Sequence, residues 1–155
     1  MKNMRFFRIV VVLGISLASV LRAAPPGLNI LHSFKNGETQ LNLATYTKAT
    51  TTVGLLGISH SGHKVSYAFK SSEWENLRTF IQNTLALQPK NWIEAGSMAE
   101  IETTSPSHLL IFVNDTTIQF IISDPTRGTE NFLLPRSDAT NFLNQSAEVA
   151  KALKN

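Results

Sequence analysis

The chain has 155 residues, a formal net charge of +3 and no cysteine. The absence of cysteine excludes disulfides and a bacterial lipoprotein anchor, so a hydrophobic core has to supply the stability. The sequence pI of about 9.4 suggests a nucleic-acid partner, but four of the 14 Lys and Arg residues lie within the first 24 positions. The remainder holds 10 basic and 11 acidic residues, a net charge near −1 that opposes this interpretation.

The first 24 residues have the three-part organisation of a secretory signal peptide. Cations precede an apolar run over residues 9–21 and small residues follow it: Lys2, Arg5, Arg8, Ala23 and Ala24. The run has 13 residues, whereas a membrane-spanning helix needs about 20. We therefore predict cleavage near Ala23 or Ala24 and export to the periplasm or the medium. Arg22 and Pro25 suit a signal peptidase poorly around that point, so an uncleaved membrane tether is the alternative.

Residues 25–155 have the length of one domain. The sequence predicts an irregular segment up to Gly37, then strands over residues 39–47, 50–59 and 64–70, with a hairpin turn at Ser61 and Gly62. A helix follows. Its start is predicted from Ser72 and Glu75, which have the spacing of a capping box, and Pro89 follows its end.

The second half of the chain has a similar order. Strands are predicted over residues 92–103, 108–113, 117–122 and 131–135, and a helix begins at Ser137. The apolar positions of the two helices superpose with a constant offset: 74, 77, 81 and 84 match 139, 142, 146 and 149. The sequence therefore predicts an α+β fold of two β-β-β-α-like units, residues 39–88 and 92–155, with an internal duplication as their origin. We expect one antiparallel sheet of six or seven strands with both helices packed on one face.

The stretch GISHSGHKV, residues 57–65, holds the first candidate site. It resembles the G-x-S-x-G motif of serine hydrolases, but Ser61 replaces the last glycine and a strand follows, which argues against a nucleophile elbow. His60 and His63 face each other across the predicted turn and are candidate metal ligands. Zinc normally takes three or four protein ligands, and further oxygen ligands are available: Glu38, Asp115 and Asp124. The alternative is an exposed hairpin tip without a metal.

The loop over residues 124–130 is the second candidate site. Loops on a rigid sheet often carry binding residues, and the Arg127 guanidinium can pair with a carboxylate or phosphate. Asp124 and Arg127 are therefore predicted to bind a ligand. The alternative is an ordinary turn built from Asp-Pro and Gly.

Other side chains have a structural interpretation. Glu100 and Glu102 lie on the same side of a predicted strand and are interpreted as an exposed acidic edge that discourages aggregation. Trp74 and Trp92 are predicted to be core residues.

No pattern in the sequence specifies a reaction, a catalytic residue or a cofactor. The leading hypothesis is a small exported, non-catalytic module that binds a protein or a component of the cell envelope. A secreted hydrolase or metal-dependent enzyme is the alternative. Duplicated strand–strand–strand–helix units also resemble, in topology alone, the PUR and Whirly single-strand nucleic-acid binders. Such binding needs a basic groove with aromatic stacking platforms, which the net charge and the export signal oppose.

Overall fold

A computed structural model describes residues 25–100 and 106–154. The predicted signal peptide, Glu102 and the end of the predicted strand over residues 92–103 lie outside this range. Each half of the described chain has four strands followed by a helix. The first half contains β1 Leu28–Asn36, β2 Thr39–Lys48, β3 Thr51–His60, β4 His63–Phe69 and α1 Ser71–Ala86. The second contains β5 Ile93–Ala99, β6 His108–Val113, β7 Thr117–Asp124, β8 Gly128–Pro135, a 3₁₀ turn Arg136–Asp138 and α2 Ala139–Ala152.

The α+β class is confirmed, but the single sheet is wrong. The strands form two antiparallel four-stranded sheets, sheet A in the order β1-β2-β3-β4 and sheet B in the order β5-β6-β7-β8. The additional strand is β1, which was predicted to be irregular. A β-bulge between Ile30 and His32 interrupts its alternation, so the apolar residues before and after the bulge face opposite sides of the sheet. Because of this break, the sequence of β1 lacks the period-two alternation from which a strand is predicted.

The helix positions that were predicted to lie on the apolar faces and to match between the two halves are buried. All eight residues at those positions are fully buried: Trp74, Leu77, Ile81, Thr84, Ala139, Phe142, Ser146 and Val149. The offset that aligns the two helices also aligns residues of the strands that precede them. It matches Tyr67 of β4 with Phe132 of β8, and both side chains are buried. The duplication itself stays a prediction.

The start of α1 differs from the predicted capping box. Glu73, rather than Glu75, accepts the backbone N–H of Lys70 at 2.7 Å and satisfies a free amide at the helix start. Glu75 instead accepts a hydrogen bond from Arg78 at 2.9 Å. The helix consequently begins two residues earlier than the spacing of Ser72 and Glu75 predicts.

The two sheets pack across one another, because β8 contacts all four strands of sheet A. The side of sheet A that faces β8, α1 and α2 is called the inner face below, and the opposite side is called the outer face. The inner face belongs to one core cluster that includes residues of both sheets and both helices. Among the described residues, no helix is long and apolar enough to cross a membrane.

Trp74 of α1 lies directly over Gly54 of β3. A Cβ added at Gly54 would be 2.8 Å from Trp74 Cε3 and 3.2 Å from Val149 Cγ1. This close approach explains a glycine in the middle of a strand. Trp92, in contrast, is 46% exposed, so its predicted core position is wrong: it precedes β5 and belongs to neither the strand nor a helix face.

Arg136 fastens the end of α1 to the second half. Its Nη2 atom donates to the carbonyl oxygens of Thr84 and Leu87 at 2.9 and 2.7 Å, and Nη1 donates to Asn114 O at 3.1 Å. Thr84 and Leu87 lie at the C-terminus of α1, where a cation is favourable.

Two glycines of β3 provide a matched test of this packing. We expect Gly54→Ala to lower the free energy of unfolding by about 1 to 3 kcal/mol, because the new methyl group overpacks the Trp74 site. Gly57→Ala lies on the outer face, where the nearest atom to its Cβ would be 3.8 Å away. This control should leave stability unchanged or raise it by up to about 1 kcal/mol. Urea denaturation measures the free energy of unfolding of both variants. Equal changes in the two would contradict the close packing of Trp74 on Gly54.

Candidate functional site

The β3–β4 hairpin has the predicted two-residue turn. Ser61 and Gly62 both have positive φ, 49° and 84°, as a type I′ turn requires. The turn makes His60 and His63 cross-strand partners. Ser59 faces the opposite side of the sheet from His60, and β4 follows where an elbow needs a helix.

Both imidazoles lie beside the carboxylate of Glu130 in β8. His63 Nδ1 donates to Glu130 Oε1 at 2.6 Å, and His60 Nδ1 is 3.9 Å from Glu130 Oε2. On the other side, His60 Nε2 is 4.0 Å from Glu38 Oε2. Glu38 was among the predicted oxygen ligands, whereas Glu130 was not. Sequence reasoning missed Glu130 because only the crossing of β8 over sheet A brings it to the hairpin.

The histidines form part of a contact between the sheets. Asn36, Thr39, His60 and His63 are cross-strand neighbours at one end of sheet A. Asn36 Nδ2 donates to Leu133 O of β8 at 2.8 Å, so β8 runs along this row from His63 to Asn36. Within residues 25–100 and 106–154, no group of three or more His, Asp or Glu side chains is placed to hold a metal ion. The metal-ligand role of His60 and His63 stays a prediction, and the contact itself joins sheet A to sheet B.

Asp124 is buried and stabilises its own turn. Its Oδ1 atom accepts hydrogen bonds from Thr126 N at 2.8 Å, Thr126 Oγ1 at 2.7 Å and Arg127 N at 3.0 Å. Burial lowers the pKa of the Arg127 guanidinium, and the Asp124 carboxylate acts in the opposite direction. The geometry gives Asp124 the structural role of an Asx turn. Ligand binding by Asp124 and Arg127 stays a prediction.

A second polar group lies at the same end of sheet B. Glu100 Oε2 accepts the backbone N–H of Ser107 at 3.3 Å, and Ser107 Oγ donates to Asp124 Oδ2 at 3.5 Å. Glu100 Oε1 and Tyr67 Oη are buried and have no hydrogen-bond partner in the described part of the chain. The interpretation of Glu100 as an exposed edge residue is therefore wrong, since only 9% of it is exposed.

Burial raises the pKa of the Glu100 carboxyl, and the negative charges of Asp124 and Glu73 raise it further, against the lowering effect of the Ser107 hydrogen bonds. Burial likewise raises the pKa of the Tyr67 hydroxyl, followed by the charges of Glu73 and Glu100. Perturbed groups of this kind occur at functional sites and in structural networks alike. Here the two polar atoms lie in the packed interior.

The outer face of sheet A has an ordered change of polarity. Strand alternation and the pairing registers give three rows across the four strands. The tip row, next to the hairpin turns, is Lys35, Gln40, Ser59 and Lys64. The polar row is Ser33, Asn42, Gly57 and Ser66, and the apolar row is Ile30, Ala44, Leu55 and Ala68. The face thus changes from basic to apolar along the strands, and none of these twelve side chains is acidic.

These rows contain a groove of about 260 Å³. Its described lining comes from all four strands: Leu28, Ile30, Gln40, Asn42, Ala44, Leu55, Gly57, Ile58, Ser59, Lys64, Val65 and Ser66. Gly57 lies in the centre of the polar row and has no side chain to fill the space above the sheet. Next to the groove, a second apolar cluster contains Ala44, Tyr46, Val53, Leu55 and Ala68, with Leu28 packed against it.

The groove was not predicted from the sequence, although part of its signal was visible. The alternation of β4 already placed Lys64, Ser66 and Ala68 on the side opposite Tyr67. The turn at Ser61 and Gly62 also sets them beside Gly57 and Leu55 of β3. What was missing was β1, which supplies Leu28 and Ile30 to the lining.

Comparison of the chain with protein-family models and with curated proteins finds no match.

The buried Glu100 carboxyl should make the free energy of unfolding depend on pH. Its pKa is raised in the folded protein, so the folded state binds the proton more tightly than the unfolded state. Its contribution to the free energy of unfolding is therefore greatest in acid and declines as pH rises from about 4.5 through the folded pKa. Glu100→Gln, which stays neutral, should raise stability by about 1 to 3 kcal/mol at pH 7.5 and change it little at pH 4.

Denaturation at both pH values measures this difference. Glu94→Gln is the matched control, because Glu94 lies on β5, the strand that directly precedes Glu100, and is exposed. A Glu100→Gln effect that is equal at the two pH values would contradict the assignment of a charge penalty to this carboxyl.

Proposed function

We propose that the protein is a small exported, non-catalytic binding module whose ligand site is the groove on the outer face of sheet A. The observation that carries the proposal is a concave surface made by all four strands, with apolar side chains and a few polar groups. Ligand sites have this combination of shape and chemistry. The inner face of the sheet is occupied by the core, which leaves the outer face for recognition.

The chemistry of the groove supports binding over catalysis. Its described lining holds amide, hydroxyl and aliphatic groups, and Lys64 is its one titratable side chain. General acid–base catalysis relies most often on a positioned His, Asp or Glu; none of these is in that lining, and Lys64 has no second titratable group beside it there. His60, His63, Asp124 and Arg127 do not line the groove either.

The outer face also favours a binding role other than nucleic-acid recognition. Tyr46 is the one aromatic side chain on this face of the described strands, and it is 5% exposed. Single-stranded nucleic acids bind to grooves in which aromatic rings are available for stacking. An aromatic ring held inside the apolar cluster offers no such platform.

A groove-filling variant tests the proposal. We expect the exported protein to bind the uncharged apolar dye Nile red with a saturable rise in fluorescence. Gly57→Leu should abolish that rise, because Cβ fits without a clash and the rest of the side chain enters the groove.

The control is Asn131→Leu, which adds the same side chain at an exposed position of β8. Circular dichroism confirms that both variants fold. A dye signal that is absent from the unsubstituted protein, or that survives Gly57→Leu, would refute the groove as a ligand site.

Export is tested separately. Expression of the full chain in a bacterium should give a processed protein in the periplasm or medium, with an N-terminus near residues 24 and 25, because the apolar run is shorter than a membrane span. N-terminal sequencing identifies the cut. A protein that keeps Met1 and sediments with membranes would contradict the predicted cleavage and support the uncleaved membrane tether.

A further inference from the structure

The groove has an apolar end and a cationic end. At the apolar end, Ile30, Ala44 and Leu55 form three positions of one row. At the other end, Lys64 lines the groove and Lys35 lies across the same tip row. Between them lie the amides of Gln40 and Asn42, which hydrogen-bond to each other at 2.8 Å and line the path of a ligand. A ligand that matches this gradient has an apolar chain with a negative charge at one end.

We infer that the groove binds a single-chain carboxylate amphiphile, with its hydrocarbon chain on the apolar row and its carboxylate at Lys64. This inference rests on the proposed function and names the class of ligand. It follows from charge complementarity, because none of the groove's described lining residues is acidic. Carboxylate binding by an ammonium group is a charge-assisted hydrogen bond, which is stronger than a neutral one.

Lys64 has the properties of a carboxylate-binding residue. It is half-buried, so the folded chain removes part of the hydration of its ammonium group, and this burial lowers the pKa of that group. No ion pair joins it to another residue of the described chain. A ligand carboxylate restores a favourable partner to the ammonium group at this point.

The size of the groove limits the length of the ligand's hydrocarbon chain. Its volume of about 260 Å³ lies below the range of roughly 300 to 1,000 Å³ for sites that enclose drug-sized ligands. A chain of medium length therefore fits with one side exposed. A diacyl lipid, with two chains and a bulky head group, exceeds the available space.

Titration calorimetry with decanoate tests the inference. The exported protein should bind decanoate, and it should bind decyltrimethylammonium, which has the same chain and the opposite charge, at least about tenfold more weakly. Lys64→Gln should weaken decanoate binding by about tenfold, with little effect on the binding of Nile red. Lys90→Gln removes an exposed charge outside the groove and should leave the affinity for decanoate unchanged.

The outcomes separate this inference from the proposed function. Equal binding of the two amphiphiles, or decanoate binding unaffected by Lys64→Gln, overturns the carboxylate assignment while Nile red binding still supports a groove. Loss of decanoate binding in Gly57→Leu as well as in Lys64→Gln supports both. A dimer in light scattering that Gly57→Leu dissociates would make a second copy the occupant, and would overturn the inference.

Discussion

The indole of Trp74 holds the two halves of the chain together. Its Nε1–H donates to Ser146 O of α2 at 2.9 Å, inside a region where an unpaired donor would be costly. The same ring packs edge-on against Phe69 of β4, with centroids 5.0 Å apart, and lies over Gly54. One side chain therefore fixes both helices against the inner face of sheet A.

This arrangement determines which face of sheet A stays outside the core. The large apolar side chains of sheet A are used on the inner face, against the helices and β8. The outer face, whose residues alternate with them, holds polar side chains, Gly57 and the second, smaller apolar cluster. A groove arises there because Gly57 and its neighbours Asn42 and Ser66 fill less space than the inner residues do. The same alternation that builds the core thus shapes the opposite surface.

Local patterns in the sequence predicted the elements better than their assembly. The buried faces of both helices follow from the spacing of residues such as Leu77 and Phe142, and the hairpin turn follows from Ser61 and Gly62. The bulge in β1 and the division into two sheets depend on contacts between distant segments, which periodicity does not contain. Glu130 beside His63, and Glu100 beside Ser107, became visible only when the strand ends were placed together. The groove likewise needed β1, which supplies Leu28 and Ile30 to its lining.

The contact of β8 with the hairpin tips also bears on how quickly a ligand enters. Three residues of the tip row line the groove, and the ends of the same hairpins are held from the inner side through Asn36 and His63. A groove braced at this end has little freedom to close over the proposed ligand. Association should then occur in a single step at a rate set by diffusion and orientation, without the slower phase of a conformational change. Rigidity of this kind also reduces the entropy lost when the ligand is bound.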